Sequence, residues 1–421
     1  MGHSRDSRDL FSHLTRAVSD LAVAFQRKRM WSPRSVVIAV FLLTQPNKQT
    51  NYGRIFSDLR DEICRLFGWA AIPTASSLCV ARGKVVAQTF REVLHRLVAD
   101  LEPLISGSYA HHTQRRFVAI DATSLVCPRS ASTLKRLDRP HVTPWHLAHY
   151  PRALVVVAVD VLRRLPLEWV LLPKGRGERA AAKPLVAQAR PGDVLILDRG
   201  YPARWLLGDA VARGVDLVMR MTAAKAGAWK EVREFLASGA STAVIQMPVD
   251  AGTTVTVRLL RRNPPRGRPL KHQRRDTMVI LTTLLPRHGF EAKDIFDLYS
   301  KRWGIESLFR EMKEAFAIET FHARSVQGIE QEIAAVLMWI ALTAAIHATV
   351  QAGLTDGKRA NAGVSRSLAR RCVEVALEGR TVNLESMIMQ ARRSAYKPRP
   401  GRSFPRISQL PYGRFENRGV K

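Results

Sequence analysis

The sequence predicts an α/β protein with a mixed sheet, a helical region before it and another after it. Three observations lead there. From about residue 10 to 110, apolar residues recur at three- and four-residue spacing with no alternating run. After Arg116 the pattern changes to short β-branched runs: Phe117–Asp121 (FVAID), Leu154–Val161 (LVVVAVDV) and Leu167–Leu172 (LEWVLL). A helical stretch, Arg179–Ala189, then separates these from Val194–Asp198 (VLILD). Three strands, a helix and a fourth strand suit a mixed sheet in which the fourth returns beside the first.

The first region contains an amphipathic basic stretch, Pro73–Leu97, with Ser76 or Ser77 as N-cap. It can be read as a recognition helix for a major groove, or as a packed helix with Arg82 and Lys84 solvated. In the sheet region, Arg163–Pro166 supplies a hairpin turn between the second and third strands. Residues 222–290 are again strand-like, with Thr253–Leu260 and Thr277–Leu285 as the clearest runs. Between those two, Arg258 to Arg275 reads as a linker with eight Lys/Arg and no acid. A solvated loop is one reading, a phosphate-backbone contact the other, the latter made by Arg261, Arg262, Arg266 and Arg268. A strong helix, Lys293–Phe316, a helical C-terminal region and a Pro/Arg/Gly tail from about Arg392 complete the chain. The expected boundaries are residues 1–112, 113–328 (with a β-rich insertion at 222–290) and 329–421.

Composition narrows the function. The 421 residues carry 66 Lys+Arg against 36 Asp+Glu, a formal charge of +30, and are 46% apolar. Such a chain can bury a core, and its charge favours a polyanionic partner, usually nucleic acid. Cys64, Cys79, Cys127 and Cys372 are far apart, with no CxxC pair, which fits a reducing cytosol. The N-terminus MGHSRDSRDL has no apolar core and does not read as a secretory signal. Val36–Thr44 is too short to span a bilayer. Ile333–Val350 is long enough, but Trp339, Thr343, His347 and Thr349 interrupt it and it reads as a buried helix. No membrane partner is expected.

The chemistry is carried by acids at strand ends. Asp121 follows FVAI and Asp198 follows VLIL, and adjacent parallel strand ends would hold both over one crevice. A carboxylate ending a buried strand costs desolvation unless a cation or donors compensate. The bland reading is a turn or cap residue, and Asp160, after VVVAV, competes for the same role. A third element is more specific. On a wheel of about 100° per residue, Tyr299, Arg302, Glu306 and Lys313 share an arc of about 60°, beside an apolar stripe. An ordinary Arg302–Glu306 i,i+4 pair explains the charges but not the tyrosine.

Tyr299-x2-Arg302-x3-Glu306-x6-Lys313 resembles the YREK signature of DDE transposases of the insertion-sequence-four family. DATSL (Asp121–Leu125) and DRGY (Asp198–Tyr201) resemble that family's first and second aspartate motifs, in the same order and with a β-rich insertion before the glutamate. The resemblance covers roughly Phe117–Phe321, and Gly401–Ser408 is similar to the family's basic C-terminal ending. It implies an RNase H-like fold, with Asp121, Asp198 and Glu306 as catalytic residues and ligands of two Mg²⁺ or Mn²⁺ ions. Hard oxygen donors favour these ions over zinc. Tyr299, Arg302 and Lys313 would inherit contacts to transposon-end DNA. The implied partners are double-stranded DNA (terminal inverted repeats and target) and a second copy of the chain in a dimeric synaptic complex. The implied location is the bacterial cytoplasm, at the nucleoid. A nuclease or integrase of the same fold, or a DNA-binding protein without catalysis, remain as alternatives. Weaker signals are a His141, His146 and His149 metal site, Trp229 as a base-stacking residue, and Trp303 packing beside the helix. Gly175–Gly177 lacks the Lys-Ser/Thr of a phosphate loop.

Overall fold

The computed structural model describes residues 7–19, 21, 30–46, 52–71, 73–106, 115–137, 139, 141–143, 146–173, 177–223, 227–263, 277–380 and 383–398. Six helices come first: α1 (Ser7–Ser19), α2 (Pro33–Leu43), α3 (Tyr52–Asp58), α4 (Arg60–Phe67), α5 (Ala75–Gly83) and α6 (Ala87–Ser106). Then follow β1 (Phe117–Val126), α7 (Ala131–Arg136), the small hairpin β2 (His141–Thr143) and β3 (His146–Leu147), β4 (Arg152–Asp160) and β5 (Leu165–Pro173). Next are α8 (Glu178–Val186), β6 (Val194–Leu197), α9 (Arg204–Ala212), β7 (Asp216–Met221), α10 (Lys230–Ala237), β8 (Thr242–Asp250), β9 (Thr253–Arg262) and β10 (Met278–Thr282). The last elements are α11 (Ala292–Ser300), α12 (Trp303–Arg310), α13 (Val326–Ala352), α14 (Ala362–Leu377) and α15 (Leu384–Arg393).

Eight strands form one mixed sheet in the order β5-β4-β1-β6-β7-β10-β9-β8. β6 is parallel to β1 and to β7, and the other pairings are antiparallel. The fourth predicted strand, β6, does return beside the first. The strands of residues 222–290 extend this same sheet, through β10 against β7. Side chains alternate along each strand, so the sheet feeds two cores. Phe117 and Ala119 join the core with α2, α6, α12 and α13, whereas Val118 and Ile120 join the one with α8, α9 and α10.

Helix α13 is apolar and long enough to cross a membrane, and it is the central helix of the first core. Its Trp339 donates Nε1–H to the Phe41 carbonyl (2.8 Å) and stacks on that ring with centroids 4.2 Å apart. Burial on all sides explains a helix without a polar face.

Four expectations change. The basic stretch Pro73–Leu97 is two helices, the first capped by Thr74 rather than Ser76 or Ser77. Its Arg82 is 4% exposed and is bonded to Glu332, Gln331 and the Tyr52 hydroxyl, so it cannot face solvent or a DNA groove. The β4–β5 turn occupies residues 161–164, because Arg164 takes the left-handed conformation (φ 57°) and β5 starts at Leu165. The Arg258–Arg275 run is not wholly a linker: residues 258–262 belong to β9.

The fourth change concerns Lys293–Phe316, which is not one continuous helix. The amides of Arg302, Gly304 and Ile305 bond three residues back, tightening the turn between α11 and α12. Gly304 lets this turn approach β4, since a Cβ there would sit 3.4 Å from Val161 Cβ. Further on, Glu311–Ala315 forms a π-helical turn, closed by Phe316 N donating to Glu311 O at 3.2 Å. The buried Glu311 carboxylate is held there by Arg164 (3.2 Å) and Arg366 (2.7 Å).

Candidate active site

The parallel register of β1 and β6 places the first two acids. Ile120 pairs with Leu197, and the next residue on each strand is an aspartate, Asp121 and Asp198. β1 does not end at Asp121, as the apolar run suggested; it continues to Val126 against β4. What ends there is β6, so Asp121 lies where the sheet opens beside it. Asp198 closes a turn in which its Oδ1 accepts the Gly200 N–H at 2.7 Å. Glycine suits this position because a Cβ would come within 3.0 Å of that same oxygen.

The α11–α12 segment brings the third acid. Arg302, 8% exposed, donates Nη1–H to Asp121 Oδ2 and Nη2–H to Glu306 Oε1, each at 2.9 Å. The i,i+4 pair is therefore present, and the same guanidinium couples it to β1. Lys313 donates Nζ–H to the Ser124 carbonyl on β1 at 2.8 Å. Tyr299 is buried, its ring centroid 6.0 Å from the Arg302 guanidinium carbon. All four residues of the predicted arc thus stay in one region despite the interrupted helix. The tightened turn and the wide π turn act in opposite senses on the helix winding.

Two neighbours had no role in the sequence reading. Glu178, the first residue of α8, lies close enough for Asp121 and Asp198 to act on it: burial raises its pKa, and their charges raise it further. Tyr201, the last residue of DRGY, is fully buried with an unpartnered hydroxyl, and burial and the charges of Asp121, Glu178 and Asp198 push its pKa up. DRGY contained a signal for Tyr201. Glu178 had none, because no motif marks the first residue of α8. Asp121 itself is held above the ordinary aspartate range by burial, and the charges of Asp198 and Glu306 oppose its ionisation while Arg302 favours it.

Among the described residues, no three His, Cys, Asp or Glu converge tightly enough to ligate one ion. The chemistry of the site nevertheless fits a divalent cation with oxygen preference. Carboxylates supply the charge, and the Arg302 guanidinium already places a positive group between Asp121 and Glu306. Among the described residues, the buried Tyr201 hydroxyl and the Arg302 Nε have no hydrogen-bond partner, so donors remain unused beside the carboxylates. Asp121, Asp198 and Glu306 are the residues that would hold the metal.

The other candidates sort by contact. Asp160 is fully buried and accepts from Arg163 Nη1 (2.6 Å) and from the Leu162 and Arg163 amides, so it fastens the β4–β5 turn. Arg258 is likewise structural, bonded to Thr242 and the Phe290 carbonyl. Arg261 bonds the Gly239 carbonyl, and Arg262 stacks over Phe296 at 3.9 Å. Arg266 and Arg268 lie outside the described residues, as does Gly401–Ser408. His141 and His146 are exposed on the small hairpin, and His149 pairs with Arg129 at 2.9 Å. Trp229 is covered by the Arg204 guanidinium (4.6 Å), and Trp303 is 60% exposed instead of packed.

The mixed sheet thus presents Asp121 and Asp198 side by side, and Arg302 joins Asp121 to Glu306 on the following helix. Residues 112–342 match the family described as "Transposase DDE domain", and the chain belongs to that family. No curated protein matches it. Among solved structures, it is similar to the piggyBac transposase in the cryo-EM structure of its synaptic complex with hairpin DNA, at 10% identity and a TM-score of 0.40. That similarity covers 91% of this chain and 79% of the other.

Proposed function

We propose that this DDE transposase is of the insertion-sequence-four, YREK type, with an RNase H-like catalytic unit, and that it works by cut-and-paste transposition. The observation that carries the reading is the β1–β6 register, which puts Asp121 beside Asp198 while Arg302 ties Asp121 to Glu306. Asp121, Asp198 and Glu306 are the catalytic residues, and the partner is double-stranded DNA, as inverted-repeat ends and as target. Two ions, Mg²⁺ or Mn²⁺, would supply activation of the attacking water or 3′-hydroxyl and stabilisation of the leaving oxygen.

The remaining roles belong to the chain itself. Three carboxylates in a protein of charge +30 form an acidic point on a surface that attracts DNA from all sides. Arg302 and Lys313 reach the same stretch of β1, where they can orient phosphates around the scissile bond. Tyr299 backs Arg302 and limits its swing. In the proposed layout, residues 1–112 bind the DNA end, 113–328 cut it with 222–290 as the β-rich insertion, and 329–421 form the C-terminal region. Two copies hold the two ends, in the bacterial cytoplasm at the nucleoid.

Mg²⁺-dependent nicking of duplexes bearing the inverted repeats that flank the coding DNA tests the function; no nicking at those ends would refute it. Arg302→Ala separates positioning from packing. It should reduce cleavage by at least about 100-fold, since removal of one charge-positioning donor costs about 3 kcal/mol at the transition state. The melting temperature should also fall, because Asp121 loses its buried cation, but the variant should stay folded below that temperature. A variant that loses its folded state would assign Arg302 to structure alone.

A further inference from the structure

A second charged feature lies beside the acidic centre. A hollow of about 610 Å³ is bounded by the β4–β5 turn, the α11–α12 junction and the loop between α13 and α14. Its lining includes six cations, Arg115, Arg163, Arg164, Lys301, Lys358 and Arg359, and no carboxylate. Arg115, Arg163 and Arg164 are paired with Asp216, Asp160 and Glu311, none of which lines the hollow. Lys301, Lys358 and Arg359 are exposed, and among the described residues their side chains have no partner.

The three free cations stand on anchored backbone. Gln351 donates Nε2–H to the Lys358 carbonyl (3.1 Å) and accepts the Ala360 N–H (2.9 Å). Arg359 exchanges both backbone hydrogen bonds with Tyr396, at 2.8 and 3.0 Å. Lys301 sits in the tightened turn. Like charges gathered on one rigid rim repel each other, so the arrangement lowers stability unless an anion completes it. His347, on the same lining, has its pKa lowered to about 4 by burial and by the Arg164 charge. The chain's own tail is a poor occupant, because residues 399–421 carry six Lys/Arg and one Glu.

We propose that this hollow takes the sugar-phosphate backbone of duplex DNA adjoining the acidic centre; the proposal rests on the transposase reading. Lys301 is next to Arg302, so the α11–α12 junction faces the carboxylates with one residue and the hollow with the other. Arg115 lies two residues before β1 and six before Asp121, about 20 Å of chain if extended. That corresponds to roughly six base pairs at about 3.4 Å each. A duplex entering the site would therefore place several consecutive phosphates along the hollow.

The test is a salt titration of duplex binding by fluorescence anisotropy, using a generic duplex of about 30 base pairs. The triple variant Lys301→Gln, Lys358→Gln, Arg359→Gln should flatten the slope of log K against log salt by between about two and three. Affinity should fall about 10- to 100-fold at about 0.15 M salt. The matched variant Lys135→Gln, Lys230→Gln, Lys293→Gln removes the same charge elsewhere and should change the slope by less than about one. Lys301→Arg with Lys358→Arg and Arg359→Lys should restore wild-type binding and rule out misfolding as the cause. An unchanged slope in the first variant, or equal losses in both Gln variants, would overturn the proposal. If the wild-type chain itself failed to bind duplex DNA, the transposase reading would fail first.

Discussion

Asp121→Asn, Asp198→Asn and Glu306→Gln should each reduce nicking and strand transfer to background, a loss of about 10³-fold or more. Each substitution removes one anionic oxygen while nearly preserving volume. Metal-assisted phosphodiester transfer needs that charge for several kcal/mol of transition-state stabilisation. DNA-end binding in a gel shift should stay near wild type, because Arg302 and the basic surface remain. Asp160→Asn should behave differently. Asp160 is fully buried and holds Arg163, so its neutral amide leaves a buried guanidinium uncompensated and lowers stability by about 3–5 kcal/mol. Cleavage should persist below the lowered melting temperature. Wild-type cleavage by Glu306→Gln would remove the glutamate from the reaction, and loss of cleavage by a folded Asp160→Asn would reopen the choice of aspartates.

The second large effect is on folding. Glu332 is 2% exposed and accepts from Arg82 Nη2 (2.7 Å) and from the His322 and Ala323 amides (3.0 and 2.9 Å). This network joins α5 to α13 and to the strap that follows the active-site helix. Removing one partner of a buried pair leaves the other desolvated and alone. Arg82→Met and Glu332→Gln should therefore each cost about 3–5 kcal/mol, read as a lowered denaturation midpoint with unchanged slope. The same pair makes stability depend on pH. Although burial alone would raise it, the Arg82 charge and the bonds from His322 hold the Glu332 pKa down, from 4.5 to about 2. Its contribution, about 3 kcal/mol, is present above the unfolded pKa and is lost as pH falls from 4.5 toward 2. Calorimetry at about pH 5 and about pH 3 should show a smaller acid-induced drop for Glu332→Gln than for the wild type. Equal drops would place the acid sensitivity elsewhere.

Periodicity was enough to read local structure where one force dominates. FVAI, VLIL and VVVAV are strands because β-branched residues fill a surface buried on both faces, and α13 is a helix because it is apolar all round. The residue types at Asp121, Asp198 and Glu306, in their order and spacing, were likewise legible, and with them the transposase class. The wheel that grouped Tyr299, Arg302, Glu306 and Lys313 assumed a regular helix. The grouping survived although the helix did not, because the tightened turn at Arg302 is followed by the wide turn at Glu311.

Whatever depends on which distant residues meet needed the tertiary structure. The i,i+1 neighbours Lys301 and Arg302 have opposite placements, one lining the hollow and one on the carboxylates, which follow from how the α11–α12 junction packs. Arg82 looks solvated in its own helix, yet Glu332, 250 positions away, draws it into the core. Glu178 carries no motif and reaches the site because α8 starts where β1 and β6 open. Asp160 resembles Asp121 in sequence, but a neighbouring arginine consumes its charge. The sequence by itself therefore determined most strands and helices, which follow from local burial, and the transposase class through its resemblance to a known family. Register, ion-pair partners and the gathering of cations around the hollow follow from long-range packing, for which a one-dimensional pattern holds no record.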